Sequence, residues 1–126
     1  HAFRGFADLI GGNFVVDLKT CQNSSPNQFT NDAFRMKYHV QAYIYTQLLG
    51  QRAGEPISDF WWVAVEKTSP YVVTCFQATP ELIARGKEEL ERVLDEFVQW
   101  DGTPRGYDQR ASFDYFTLDV PHWAIK

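Results

Sequence analysis

Two pairs of strand-like runs, each pair followed by a segment of helical periodicity, restrict this chain to an α/β architecture. The first pair covers residues 3–10 and 14–20, with Gly11-Gly12-Asn13 between them as a strong hairpin signal. The second pair covers 59–66 and 71–77; both runs are rich in aromatic and β-branched residues, and Ser69-Pro70 turns between them. Between the pairs, residues 21–29 (CQNSSPNQF) are polar and contain Pro26, which reads as a loop. A helix is expected over 31–49, capped by Thr30 or Asn31 and stopped by Gly50. Its Phe34, Tyr38, Gln41, Tyr45 and Leu48 recur at spacings of three and four and so share one face. A second loop spans 51–56. Thr79 then caps a long helix with Pro80 at its first position, and Leu82, Ile83, Gly86, Leu90, Val93, Leu94 and Phe97 form its apolar stripe. A Gly/Pro-containing loop over 101–110 leads to a short strand at 116–118 and then to Pro121-His122-Trp123. The order β-β-α-β-β-α-β describes an α/β domain built on a mixed sheet with helices packed on it.

The 126 residues suit one domain with one core, and the 44% hydrophobic and 16% aromatic content argues against disorder. No apolar run approaches the roughly 20 residues that cross a bilayer, and no basic-apolar-small leader marks the chain for export. The only cysteines, Cys21 and Cys75, lack CxxC spacing, which excludes a disulfide scaffold or zinc site and suits a reducing cytoplasm. The chain opens inside a strand without an initiating methionine, so it is expected to be part of a longer protein. A formal net charge of -4 runs against the basic character expected of a nucleic-acid binder. Carboxylates neutralised by bound cations reconcile the two.

Asp17 and Lys19 stand two residues apart on one strand and therefore on one face of the sheet. Asp8 lies on the preceding strand. If Ile10 pairs with Asn13, Asp8 is diagonal to Asp17 at about 7–8 Å between backbones. Two such carboxylates can reach one hard cation, with oxygen–magnesium distances of about 2.0–2.1 Å. A lysine beside them can hold or deprotonate a water and offset charge in a transition state, which is the equipment that phosphodiester hydrolysis requires. A DxK tripeptide alone is short and common, and equally describes an exposed strand end. Gln41 and Tyr45 are one helical turn apart and can address one site together, or can be a core tyrosine beside a satisfied amide. His39 reads more readily as structural, and Glu66-Lys67 as a solvated strand end. Trp61 and Trp62 face opposite ways, so one of them belongs to the core.

The succession FRGFAD, GNFVVDLKT, YHVQAYIY and FWWVAVEKTSPYVV resembles the exonuclease VIII-like, or RecE-like, branch of the PD-(D/E)XK nucleases, from Phe3 to Trp123. The resemblance implies a restriction-endonuclease-like core, a mixed sheet flanked by helices, whose N-terminal helix is missing here. It implies that Asp8 and Asp17 are acidic metal ligands, that the Leu18 carbonyl is another ligand, and that Lys19 is the catalytic lysine. Gln41 and Tyr45 match the Q-x-x-x-Y helix motif that lines the site. Relatives place a further acidic or His ligand on an upstream helix, and they show Gly-Arg-x-Asp where this chain has Arg4-Gly5-Phe6-Ala7-Asp8.

The implied activity is a magnesium- or manganese-dependent exodeoxyribonuclease that acts on double-stranded DNA ends in recombination or repair. The implied partners are a single-strand annealing recombinase and further copies of the chain in a ring. Two rivals predict different behaviour: a catalytically inactive DNA-binding or scaffold remnant of the same fold, and an α/β interaction module in which the DLK tripeptide is chance.

Overall fold

The computed structural model describes residues 5, 7–102 and 119–124. The expected strand at 116–118 lies outside them, as do Phe3, Arg4 and Phe6 of the first expected strand. The chain separates into two units, His1–Leu94 and Asp95–Lys126.

The first unit is a four-stranded mixed sheet in the order β1-β2-β3-β4. Its strands are β1 (Leu9–Ile10), β2 (Phe14–Cys21), β3 (Asp59–Glu66) and β4 (Val73–Gln77). β1 runs antiparallel to β2, β2 parallel to β3, and β3 antiparallel to β4. Alternation places Val15, Asp17 and Lys19 on the same side of the sheet as Phe60, Trp62, Ala64 and Phe76. That side carries the core: Val15, Phe60, Trp62 and Ala64 pack with Phe29, Ala33, Ala42 and Ala78.

The hairpin keeps a two-residue turn but sets it one residue later than the sequence suggests. Leu9 pairs with Val16 and Ile10 with Val15, and the Gly11 N–H donates to the Phe14 carbonyl at 2.9 Å. Gly12-Asn13 is therefore the turn, so the pairing of Ile10 with Asn13 is corrected by two residues. The cause is Gly11. A Cβ there would collide with the Phe14 ring, so the bare glycine lets the ring lie across the strand pair.

The single helix expected over 31–49 is two: α1 (Pro26–Arg35) and α2 (Tyr38–Ala53). Pro26, read as a loop residue, occupies the first turn of α1, where its missing N–H costs nothing. The break falls at Lys37, whose φ of 63° is left-handed and ends α1 outright. Its ammonium meets Glu89 at 2.9 Å, and hydrogen bonds from Arg92 first and Lys37 second hold the Glu89 carboxyl down to about 2. α2 ends at Gly54 (φ 71°), four residues beyond the expected stop at Gly50.

α3 (Pro80–Gln99) begins as expected, with the Leu82 N–H donating to Thr79 Oγ1 at 3.1 Å. Its stripe is covered only in part: Gly86 is buried, whereas Val93 and Phe97 are 45% and 57% exposed. At Gly86 the two helices nearly touch, because a Cβ there would meet the His39 carbonyl oxygen. Backbone cannot yield as a side-chain tip does. Gly86→Ala should therefore cost about 1–3 kcal/mol despite the roughly 1 kcal/mol of helix propensity it gains. Urea denaturation checks this, and an unchanged midpoint would mean the helices separate without cost. In the second unit, Trp100 packs beside Phe97 at 6.3 Å between ring centroids, and His122–Ala124 form a 3₁₀ turn. Among the described residues no helix is long and apolar enough to cross a membrane.

Candidate active site

The corrected register brings Asp8 directly opposite Asp17, one residue before the Leu9–Val16 pair. Asp8 lies just before β1, and its Oδ2 accepts the Leu18 N–H at 2.8 Å. Within a strand residue the N–H and C=O point to the same edge. The Leu18 carbonyl thus faces the edge where Asp8 stands.

Asp17 is 5% exposed. Lys19 Nζ lies 2.7 Å from its Oδ2, and Gln41 Nε2 donates to its Oδ1 at 3.3 Å. That ammonium is paired with Asp17 Oδ2, an oxygen buried from solvent. Gln41 Oε1 is buried and unpartnered. Burial pushes the Asp17 carboxyl above its ordinary range, the Lys19 ammonium opposes this, and the facing Asp8 adds to it. Tyr38, at the start of α2, places its ring 4.5 Å beneath Lys19 Nζ, a cation–π contact that fixes the ammonium over the strand.

Of the expected site residues, Asp8, Asp17, Leu18, Lys19 and Gln41 therefore gather at one corner of the sheet. Tyr45 lies a turn further along α2. Its ring packs against Phe60 (6.4 Å between centroids) and close over Gly5. Among the described residues no hydrogen bond joins Tyr45 to Asp17 or Lys19. His39 is 3% exposed and stacked on Phe34 at 4.6 Å, and burial holds its imidazole below the ordinary range. Glu66 is not a solvated strand end. Its Oε1 accepts the Ser24 N–H at 2.9 Å and the Ser24 hydroxyl at 3.0 Å. Trp62 is core, at 2% exposure. Tyr38 is a residue of this corner that the sequence does not single out. Its spacing three before Gln41 put it on the same helix face, but the contact with Lys19 depends on how α2 crosses β2.

The donors present suit a hard divalent cation. They are two neighbouring carboxylates, one of them buried beside an ammonium, and a carbonyl at the same edge. No cluster of three or more His, Cys, Asp or Glu occurs among the described residues. A cation held here would therefore keep several waters, as magnesium habitually does.

Residues 1–105 match the family described as PDDEXK-like domain of unknown function (DUF3799). No curated protein matches the chain. Among solved structures, the crystal structure of a candidate exonuclease from Eubacterium rectale is similar, with a TM-score of 0.60 and 16% identity. The similarity covers 72% of this chain and 36% of that one, so the chain spans little more than a third of that protein. At this identity the likeness is one of fold, and it agrees with the restriction-endonuclease-like sheet described above. Fold, acidic corner and the match over most of its length agree: the chain belongs to the PDDEXK-like domain family.

Proposed function

We propose that this domain is the catalytic part of a metal-dependent DNA exonuclease of RecE-like type, hydrolysing phosphodiester bonds from duplex ends. The observation that carries the reading is the corner itself. Asp8, one residue before the antiparallel pair, accepts the Leu18 N–H beside the buried Asp17, and an ammonium stands 2.7 Å from Asp17. A buried carboxylate held between an ammonium and a second carboxylate is the pattern that functional sites favour.

Asp8, Asp17 and the Leu18 carbonyl would hold magnesium or manganese. When bound, the cation supplies polarisation of the phosphoryl oxygen and a more acidic water. As an ammonium Lys19 would hold that water and offset negative charge on the phosphate; only as a neutral amine would it take the water's proton. Gln41 Nε2 fixes the Asp17 carboxylate, and Gln41 Oε1, which is buried, would accept from an enclosed water. Tyr45 backs α2 against β3 and keeps Gln41 at the strand.

Linear and covalently closed duplex DNA incubated with magnesium, manganese or chelator test this reading. Cleavage of the linear form alone, abolished by chelator, is the expected result; cleavage of both forms equally removes the exonuclease assignment. The two-carboxylate donor set keeps one alternative, a DNA-binding scaffold without turnover, which binds DNA and leaves it intact. A cytoplasmic setting, a ring of copies and a partner annealing recombinase belong to the same proposal.

Gln41→Leu separates site from core. It retains bulk and removes both amide hydrogen-bonding groups. The variant should stay folded: the buried Gln41 Oε1 is gone, which offsets the loss of the 3.3 Å donor to Asp17 Oδ1. Cleavage should fall about 10- to 100-fold. Normal cleavage would end the functional reading of this helix face.

A further inference from the structure

Beyond Lys19 the same face of the sheet opens into a cleft of about 300 Å³. Its floor is the end of β2, where Cys21 stands two residues past Lys19 on the same face, roughly 7 Å further along. Asp32, Arg35 and Tyr38 form one wall and Lys67 the other. Lys67 follows β3 directly, and its N–H donates to the Cys21 carbonyl at 3.0 Å, which fixes it at the carboxyl ends of the parallel β2–β3 pair. Ligands of open α/β sheets commonly sit at such strand ends. Tyr38 is shared: its ring lies beneath the Lys19 ammonium and also lines the cleft.

The charges here are unevenly engaged. Asp32 Oδ1 accepts from Arg35 at 3.0 Å and from Gln28 at 3.1 Å. Glu66, adjacent to Lys67, is turned to the N–H and hydroxyl of Ser24. Both nearby carboxylates therefore have local donors, whereas Lys67 makes no ion pair among the described residues. The cleft offers a free ammonium, the outer edge of a guanidinium and an aromatic ring, one strand step from the lysine of the acidic corner. Cations for a phosphate beside a ring for a sugar or base are how proteins hold single-stranded nucleic acid.

We propose that the cleft between Tyr38, Arg35 and Lys67 binds the nucleotide adjoining the reacting phosphate, with Lys67 on its phosphate and Tyr38 against its sugar or base. This rests on the nuclease reading and extends it to the path of the strand, which leaves the acidic corner along β2 toward Cys21.

Cys21 gives a readout independent of cleavage. In the full chain carrying Cys75→Ser, Cys21 is the remaining thiol, and its alkylation by N-ethylmaleimide is followed by mass spectrometry. The probe is 5′-phosphorylated tetrathymidylate, whose binding to the same protein is measured by fluorescence anisotropy. Bound oligonucleotide should slow Cys21 alkylation about fivefold or more. Lys67→Gln should weaken binding about three- to tenfold and lower the salt dependence by about one phosphate contact. If the oligonucleotide binds while Cys21 alkylates at its free rate and Lys67→Gln binds as the parent does, the cleft assignment is overturned and the nuclease reading stands. If neither the oligonucleotide nor longer DNA binds, both fall together.

Discussion

Asp17→Asn should abolish cleavage, by about 10³-fold or more, while making the metal-free domain more stable. The two effects share one cause. Folding places the Asp17 carboxylate at 5% exposure, opposite Asp8. Burial raises its pKa, and the Lys19 ammonium does not fully compensate. The folded state thus favours the protonated acid. That stability is fully present below the unfolded pKa and is lost as pH rises through the raised folded value. An amide of the same shape escapes this loss, so the melting-temperature advantage of the variant should grow with pH from the ordinary aspartate range upward. With metal the order reverses. A cation at 100 times its Kd stabilises the parent by about 2.7 kcal/mol, and the variant should show little of this shift. Thermal melts with and without manganese across the pH range, together with cleavage rates, measure all three quantities. A variant that melts lower than the parent without metal, yet shifts as the parent does with it, would remove Asp17 from the site.

The parts of this fold legible in the sequence are those decided by local rules. β3 spans the expected residues because FWWVAV is apolar throughout and rich in aromatic and β-branched residues, and α3 starts at Thr79-Pro80 because cap and proline act within one turn. Placing Asp17 and Lys19 on one face needed only the two-residue repeat. The rest of the fold depends on choices that local rules leave open. Gly11-Gly12-Asn13 permits two turn placements, and the ring of Phe14 selects the one that sets Asp8 directly across from Asp17. The 34, 38, 41, 45, 48 spacing runs unbroken through Lys37, so periodicity gives no sign of the break. A lysine at positive φ is intrinsically disfavoured, and its ion pair with Glu89, fifty-two residues later, is a tertiary contact. Tyr38 beneath Lys19 was hidden for the same reason: the break at Lys37 starts α2 afresh and brings its first turn to the strand.

Lys19→Ala should lower turnover by about 10²-fold or more and leave the fold intact. The side chain is 21% exposed and forms no part of the apolar core, so truncation opens no cavity among Val15, Phe60 and Trp62. Its loss removes the ammonium that opposes burial of Asp17, so the Asp17 carboxyl should titrate higher still. The residual activity should therefore rise over a more alkaline range than the parent's. Because the lysine acts on charge that develops during reaction, kcat and kcat/KM should fall together, with DNA affinity little changed. Lys19→Arg sharpens the argument. It keeps the positive charge near Asp17, but replaces a compact ammonium over the Tyr38 ring with a planar fork that places its donors elsewhere. If Lys19 only neutralises Asp17, arginine should restore activity. If it holds the water or phosphate at one point, the arginine variant should match the parent in metal-free melting and DNA binding and remain slow. Single-turnover rates for both variants, set beside their melting temperatures, decide between the two roles, and retention of turnover within about threefold in Lys19→Ala would rule out both.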